Sequence, residues 1–529
     1  MESKWLNKQF LASFSNQQIL FFLFAFIIAY FSAYLTAWRG LFAVDFPVMV
    51  DRTYRIFIGQ IPYRDFSSLT PPITYWIQAG LFKLFGLSLN HFKIYLSIQN
   101  ALFCVLNLYF ITHIVQLSLK KTIFLLPLIL LWLPAIHFPL PWYDTDPFFF
   151  ALIGLFVLCF GYQKPTSFIY PAFAGLLAVL SFFSKQNVGM MTFMFSIPFF
   201  LFQSCSIQIK LKQIFFYLLG FILMLSIILI YFHFHQALQS LWEWLFVRAY
   251  EGQVSSRMGM GKRFYLMFFD FDRPIIKLFG LIYLSAIISS WFLREQLSER
   301  VTRKSYLLFC VALYISSHMV GGAISQIGGG FAYQQAFLGI ALGLSWKYFE
   351  TFKVTRKIFP ISIFILLVSL FVYTQKITTR WKAFSEDSIH PQLSGIAASP
   401  YQNYEINVLL QMDQLIPKDE EVFTTTLPMF YFLTDRHSIP SFLTAYDNGL
   451  ESKETDFIEV LKKIEKTQVP WAVMSFPPMD KIGSHLPIVK YIFENYETVV
   501  SVPGFKSDKK ENFSIPEIES YQLFKRKNK

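Results

Sequence analysis

Charge is scarce in this 529-residue chain: Asp, Glu, Lys and Arg together make up 15% of it, against about 25% in an ordinary soluble domain. Hydrophobic residues make up 54% and mean hydropathy is +0.44, which excludes a string of soluble domains and indicates a membrane protein. Cysteine is scarce too. Cys104, Cys159, Cys205 and Cys310 lie in or beside apolar segments, at spacings that build neither a disulfide framework nor a metal site. Behind Lys4 and Lys8, the apolar run 19–35 has no clear small-residue cleavage site and reads as an uncleaved first transmembrane helix. The last 154 residues lack a glycine-rich phosphate loop, a nucleophile elbow and any His-Asp-Ser set.

The net charge of +12 is unevenly spread. The first 375 residues hold 28 Lys+Arg and 13 Asp+Glu; the last 154 hold 18 and 21, the charge density of a soluble domain. The positive charge lies between apolar segments rather than on one solvated face, so nucleic acid is excluded as a partner.

Runs long enough to cross about 30 Å of hydrocarbon occur at 17–37, 92–117, 122–140, 147–163, 168–185, 188–204, 213–233, 276–293, 305–321, 332–346 and 357–374, eleven spans in all. Segment 71–86 is ambiguous, because it opens with Pro71-Pro72 and contains Lys83. The positive-inside rule decides it: with 71–86 outside the bilayer, the short cytoplasmic loops carry Lys120/Lys121, Lys164, Lys210/Lys212, Arg294/Arg300/Arg303/Lys304 and Lys347/Lys353/Arg356/Lys357. The opposite short loops, 141–146 and 322–331, carry no Lys or Arg. This predicts an integral protein of the cytoplasmic (plasma or inner) membrane, with its N-terminus inside, 71–86 at the outer interface and the tail outside.

Nine of the 13 acids before residue 376 then fall in three outer segments: Asp45, Asp51 and Asp65; Asp144 and Asp146; Glu243, Glu251, Asp270 and Asp272. Carboxylates beside a bilayer are costly unless paired or used, and the clustering marks one outward polar site, although outer loops also need solvating residues.

In the first outer loop, Pro47 suits the first turn of a helix, which puts Asp45 at the positive end of the helix dipole as an ionised base. Asp51, Arg52 and Arg55 occupy a narrow arc and Met49, Val50, Tyr54, Ile56, Phe57 and Ile58 the rest, as in a helix lying in the interface with its apolar side in lipid. Gly59 ends it and Pro62-Tyr63 sets an extended turn; a purely structural amphipathic connector reads similarly.

This order, an Asp, an amphipathic helix, Gly, Pro-Tyr, then Pro-Pro before an apolar segment ending in Phe-Gly, resembles the first external loop of the GT-C glycosyltransferases. Those multi-spanning enzymes, among them protein O-mannosyltransferases and lipid A aminoarabinose transferases, take polyprenyl-phosphate sugars as donors. The resemblance sets Asp45 at the catalytic acid, Gly59 at the helix end and Pro62-Tyr63 at the Pro-Tyr pair, with Arg52, Arg55 and Tyr63 as secondary site residues. Many members have a second acid where this chain has Phe46.

The resemblance also implies an acidic residue in the second external loop, where PWYDTDPFFF supplies Asp144 and Asp146. Such a pair can hold a cation or orient a substrate hydroxyl or amine, and Asp146 before Pro147 can equally be a helix cap. Similar enzymes carry a Lys-Gln-rich stretch where FFSKQNVGMM has Lys185, Gln186 and Asn187. On the outer face Lys185 opposes the positive-inside trend, which suits a bound phosphate, the alternative being a snorkelling anchor. Loop 234–275 adds Arg248, Arg257, Lys262 and Arg263, among aromatics, as donor-phosphate candidates or as a plain interfacial hairpin. His233, His235 and His318 form no metal set; the family often has an aromatic turn with His-Tyr where this chain departs with Ala332-Tyr333, and substrate contact by Tyr333 or Gln334 is a further expectation.

Residues 376–529 alternate short apolar runs (EEVFTTT, PWAVMSF, TVVSVP, YQLFKR) with helical patterns, as a small α/β domain would. The expectation is a polytopic α-helical membrane protein of about eleven transmembrane helices, GT-C-like over 1–375 with outer loops 38–90, 141–146 and 234–275, and an extracytoplasmic α/β domain at 376–529. Its expected activity is that of an inverting glycosyltransferase acting at the outer membrane face. A polyprenyl-phosphate sugar is the donor, and the acceptor is a glycan, lipid or protein offering a hydroxyl or amine. Membrane lipids are its other partners. No cofactor is expected to be obligatory, a divalent cation (Mg²⁺ or Mn²⁺) being possible through Asp144/Asp146. The rival is a transporter or flippase of lipid-linked sugars, for which internal repeats and midplane charges are the expected marks.

Overall fold

The structure, a computed structural model, describes residues 15–37, 45–134, 145–248, 282–288, 302–325, 335–351, 355–424, 429–437, 464–476, 486–505 and 518–527, with isolated positions between them. A long apolar run can satisfy its own backbone only as a helix. In chain order the helices are α1 (Asn16–Ala37), α2 (Asp45–Phe57), α3 (Ile73–Phe85), α4 (Asn90–Tyr109), α5 (Leu119–Leu131), α6 (Thr145–Gln163), α7 (Ile169–Phe182), α8 (Gln186–Leu201), α9 (Ile207–Phe234), α10 (Leu238–Trp242), α11 (Thr302–Ser325), α12 (Leu338–Thr351) and α13 (Thr355–Ala383). Among the described residues, α1, α4 with its π-helical continuation Phe110–Val115, α6 and α9 are long and apolar enough to cross a membrane. The 13 residues of α3 make about 20 Å of helix, short of a bilayer core. Pro72 precedes it and Gly86, at φ 92°, ends it.

Contacts divide the chain into two compact units, one of residues 1–37, 93–228 and 258–377, the other of 38–92, 229–257 and 378–529. In the first, α6 packs along α7, and α8 packs against α6, α7 and α11. The α7–α8 corner is tight: a Cβ on Gly189 would meet the Phe182 backbone at 2.1 Å. Asn107 of α4 donates to the Ala336 carbonyl at 2.7 Å and accepts from the Ile340 amide at 3.1 Å, which holds the start of α12. Lys121 pairs with Glu350, so the start of α5 meets the end of α12; the charge rule had assigned both to one side.

In the second unit the four apolar runs of the tail form the strands β3 (Val422–Phe423), β4 (Trp471–Phe476), β5 (Tyr496–Pro503) and β6 (Ser520–Arg526), after a small pair β1 (Glu386–Asp387) and β2 (Ala397–Ala398). The sheet order is β3-β4-β6-β5, with β3 parallel to β4 and the other pairs antiparallel. Every residue of β4 is buried, and Phe423, Ala472, Met474, Ile492 and Phe524 form the core beneath. Three helices complete this part: α14 (Pro400–Gln414), α15 (Phe430–Thr434) and α16 (Leu486–Asn495). A Ser399–Gln402 capping box starts α14, and Arg436 donates to the Asp413 carbonyl in its last turn and to the Ile416 and Pro417 carbonyls beyond its end.

One expectation is corrected here. The helix of the first loop does not lie with its whole apolar side in lipid: Met49, Val50, Asp51, Arg52, Thr53, Tyr54 and Arg55 are all buried, while Ile56, Phe57 and Ile58 at its end are half-buried. In the same unit α3 covers one side of α2 and α15 another, and protein groups take up both its apolar and its polar residues.

Candidate functional site

Asp45 opens α2, whose first-turn amide groups have no partner within the helix and favour a negative charge. Down the helix, Arg52 donates to the Tyr75 hydroxyl at 3.0 Å and to Thr70 at 3.3 Å. Arg55 pairs with Asp51 at 2.7 Å, reaches Gln60 at 3.3 Å and lies over the Tyr431 ring at 5.3 Å. Thr53 donates to Gln78 at 2.9 Å, and Tyr54 donates to Asp435 at 2.9 Å. Burial and the Asp435 carboxylate raise the Tyr54 pKa, and burial pushes Tyr431 up to about 12 against the pull of the Arg55 guanidinium. Both phenols therefore stay protonated, Tyr54 donating to Asp435 and Tyr431 to the Val422 carbonyl.

Gly59, at φ 97°, closes α2, and the turn that follows is held by its own side chains. Asp65 accepts from the Ile61 amide at 2.7 Å and from Arg64 at 2.8 Å. Tyr63 is fully buried; its hydroxyl donates to the Thr70 carbonyl at 2.9 Å, and its ring meets Phe232 edge-on at 5.5 Å. Its φ of 67° is uncommon for so bulky a residue, and such strain persists only where the surroundings over-determine it.

The other unit carries a second set of polar groups. Asp146, in the first turn of α6 and 1% exposed, accepts from the Tyr95 hydroxyl at 2.7 Å and from the Gln99 amide at 2.8 Å, both on one Oδ. Two donors on one oxygen hold the carboxylate plane. Lys185 is the extended residue between α7 and α8, with φ −157° and ψ 119°, and its amide donates to the Ser181 carbonyl at 2.9 Å. It is half-buried, as are Gln186 and Asn187. In the connector after α9, Arg248 pairs with Glu243 at 3.3 Å and lies over Trp244 at 5.5 Å.

Asp144, Arg257, Lys262, Arg263, Tyr333, Gln334 and the side chain of Asp45 lie outside the described residues. Within the described residues the structure brings Arg52, Arg55 and Tyr63 into one unit, and Asp146 and Lys185 into the other. Among these residues no group of three or more His, Cys, Asp or Glu is placed to hold a metal ion. Sequence reading passed over Tyr95 and Gln99. Their signal was present: Gln99 and Asn100 interrupt an apolar span, where an amide is costly unless it has a partner.

No family model matches the chain, and no curated protein matches it significantly. A solved structure does: ArnT from Cupriavidus metallidurans bound to undecaprenyl phosphate, at 11% identity and a TM-score of 0.53, covering 97% of this chain and 98% of that one. The resemblance read from the first loop thus holds as a resemblance of fold, and the chain has the fold of this GT-C aminoarabinose transferase over nearly its whole length.

Proposed function

We propose that the chain is an inverting GT-C glycosyltransferase that moves a sugar from a polyprenyl-phosphate donor to a hydroxyl or amine acceptor at the outer face of the cytoplasmic membrane. The observation that carries this reading is the fold shared end to end with a protein bound to undecaprenyl phosphate, together with an aspartate at the head of the first-loop helix. In the proposed step Asp45 takes the proton of the acceptor hydroxyl as its oxygen attacks the anomeric carbon. The bond from that carbon to the phosphate oxygen breaks, and polyprenyl phosphate leaves as the anion. A well-placed base is worth about 10²–10⁴ in rate. Lys185, with Arg257, Lys262 and Arg263, neutralises the departing phosphate, and Asp146 with Asp144 orients the acceptor. The eleven spans, the orientation and the independence from an obligatory cation belong to the same proposal.

The test is incubation of membranes holding the chain with radiolabelled polyprenyl-phosphate sugars. Label should move to an acceptor, and it should still do so after chelation of divalent ions. Label that only changes leaflet, with no new glycosidic product, sinks the transferase reading and leaves the flippase.

A further inference from the structure

A buried chain of side chains links four helices of the first unit. The Ser181 hydroxyl of α7 donates to the Pro147 carbonyl of α6 at 3.0 Å and lies 3.4 Å from Thr192 Oγ1 of α8. Thr192 Oγ1 is 2.9 Å from His318 Nε2 of α11, and His318 Nδ1 is 2.7 Å from the Tyr314 carbonyl. One turn before His318, the Tyr314 hydroxyl donates to the Ala151 carbonyl of α6 at 2.8 Å. Helix α11 therefore holds α6 directly through Tyr314 and α8 through His318, and α8 in turn meets α7 where Thr192 contacts Ser181. Ser181, Thr192 and His318 are each at most 1% exposed.

Proton counting fixes the direction of the chain. A carbonyl only accepts, so Nδ1 of His318 carries the proton given to Tyr314. In the neutral ring Nε2 then accepts, and Thr192 must spend its single proton there rather than on the Val188 carbonyl 3.0 Å away. Ser181 has its own proton for Pro147. Valine at 192 would leave the Nε2 acceptor unmet and cut the hydrogen-bonded link between α11 and α8; with both hydroxyl protons spent, Thr192 and Ser181 meet only in contact.

One end of this chain of side chains adjoins the candidate site. Pro147 follows Asp146, and the Ser181 carbonyl receives the Lys185 amide. We propose that Ser181, Thr192 and His318 are positioning residues that hold Lys185 and Asp146 in their working geometry. This rests on the reading of Lys185 as a donor-phosphate group. Displacing a binding group by about 1 Å can cost on the order of 10² in function, so even a partial shift is measurable.

The experiment titrates undecaprenyl phosphate into the purified full chain, with the fraction of folded protein and the thermal midpoint measured alongside. Thr192→Val should weaken binding by about tenfold per folded molecule, and Thr192→Ser, which restores the hydroxyl, should bind within about threefold of the parent. A merely structural brace would lower the midpoint of Thr192→Val and leave its binding per folded molecule at the parent value, which overturns the proposal. Should Thr192→Val not accumulate, Ser181→Ala decides by the same criterion. Lys185→Met is the control: if it weakens binding and Thr192→Val does not, positioning alone fails. If Lys185→Met binds like the parent, the phosphate reading fails and this proposal with it.

Discussion

Asp45 occupies the first helical position of α2, and in the proposed step it is the base that accepts the acceptor's proton. Asp45→Asn keeps the shape and removes the base, so transfer should fall to below roughly a tenth of the parent rate, with membrane level unchanged. Lys185→Met keeps most of the apolar stem and removes the charge. A charge-assisted hydrogen bond is worth about 1.5–3 kcal/mol, so donor binding should weaken by roughly 10- to 150-fold in a titration while acceptor affinity changes far less. A snorkelling anchor would lose little, and parent-like binding would move the phosphate role to Arg257, Lys262 or Arg263. Arg55 teaches a different lesson. Its sequence position on a polar arc suggested an exposed face, yet it is buried against Asp51 and the Tyr431 ring. A periodic pattern gives the direction of a side chain and is silent on what lies there, and this residue's partner ring is more than 370 positions away along the chain.

At the scale of elements, the α7–α8 corner and α14 each make a measurable claim. Gly189 lets α8 lie against the Phe182 backbone, and the added methyl of Gly189→Ala has backbone, not a movable side chain, in its way. Overpacking of this kind costs about 1–3 kcal/mol. The thermal midpoint of the purified variant should drop and phosphate-lipid binding should weaken with it, because Lys185 sits in the same corner; an unchanged midpoint would mean that the corner yields freely. On α14, burial pushes the Glu405 carboxyl from its ordinary 4.5 up to about 7, with the Tyr521 hydroxyl pulling the other way. The folded state thus holds a proton that the unfolded state releases. Its contribution is complete below about pH 4.5 and is lost as the pH rises through 7. Relative to Glu405→Gln, the parent's thermal midpoint should fall steadily between those values, and parallel curves for the two proteins would refute the shifted carboxyl. Glu405 was invisible to sequence reading, since its environment comes from β6, which pairs it with Tyr521 across more than a hundred residues.

For the whole molecule the claim to test is topology. Single cysteines placed in loops 116–121 and 294–304 should be labelled only from the cytoplasm, and cysteines in 376–529 only from outside. A cytoplasmic tail would mean that 71–86 crosses the bilayer, and would remove Asp45 from the face where the reaction is proposed. By itself the sequence determined that the chain is apolar and largely helical, the approximate place of several helical runs but not their ends, and which four runs of the tail become strands. These are local matters: a run of apolar residues without water must close its own hydrogen bonds, and the periodicity that shows it is contained within the run. It also marked Asp45, Asp146 and Lys185, because charge beside an apolar run is costly enough to stand out. Only the tertiary structure decided that the first outer loop is grouped with the C-terminal residues, that most of α2 is buried in protein, that Tyr95 and Gln99 hold Asp146, and that Thr192 meets His318. Those partners come from helices far apart along the chain, and a hydrogen bond between them leaves no periodicity in either segment.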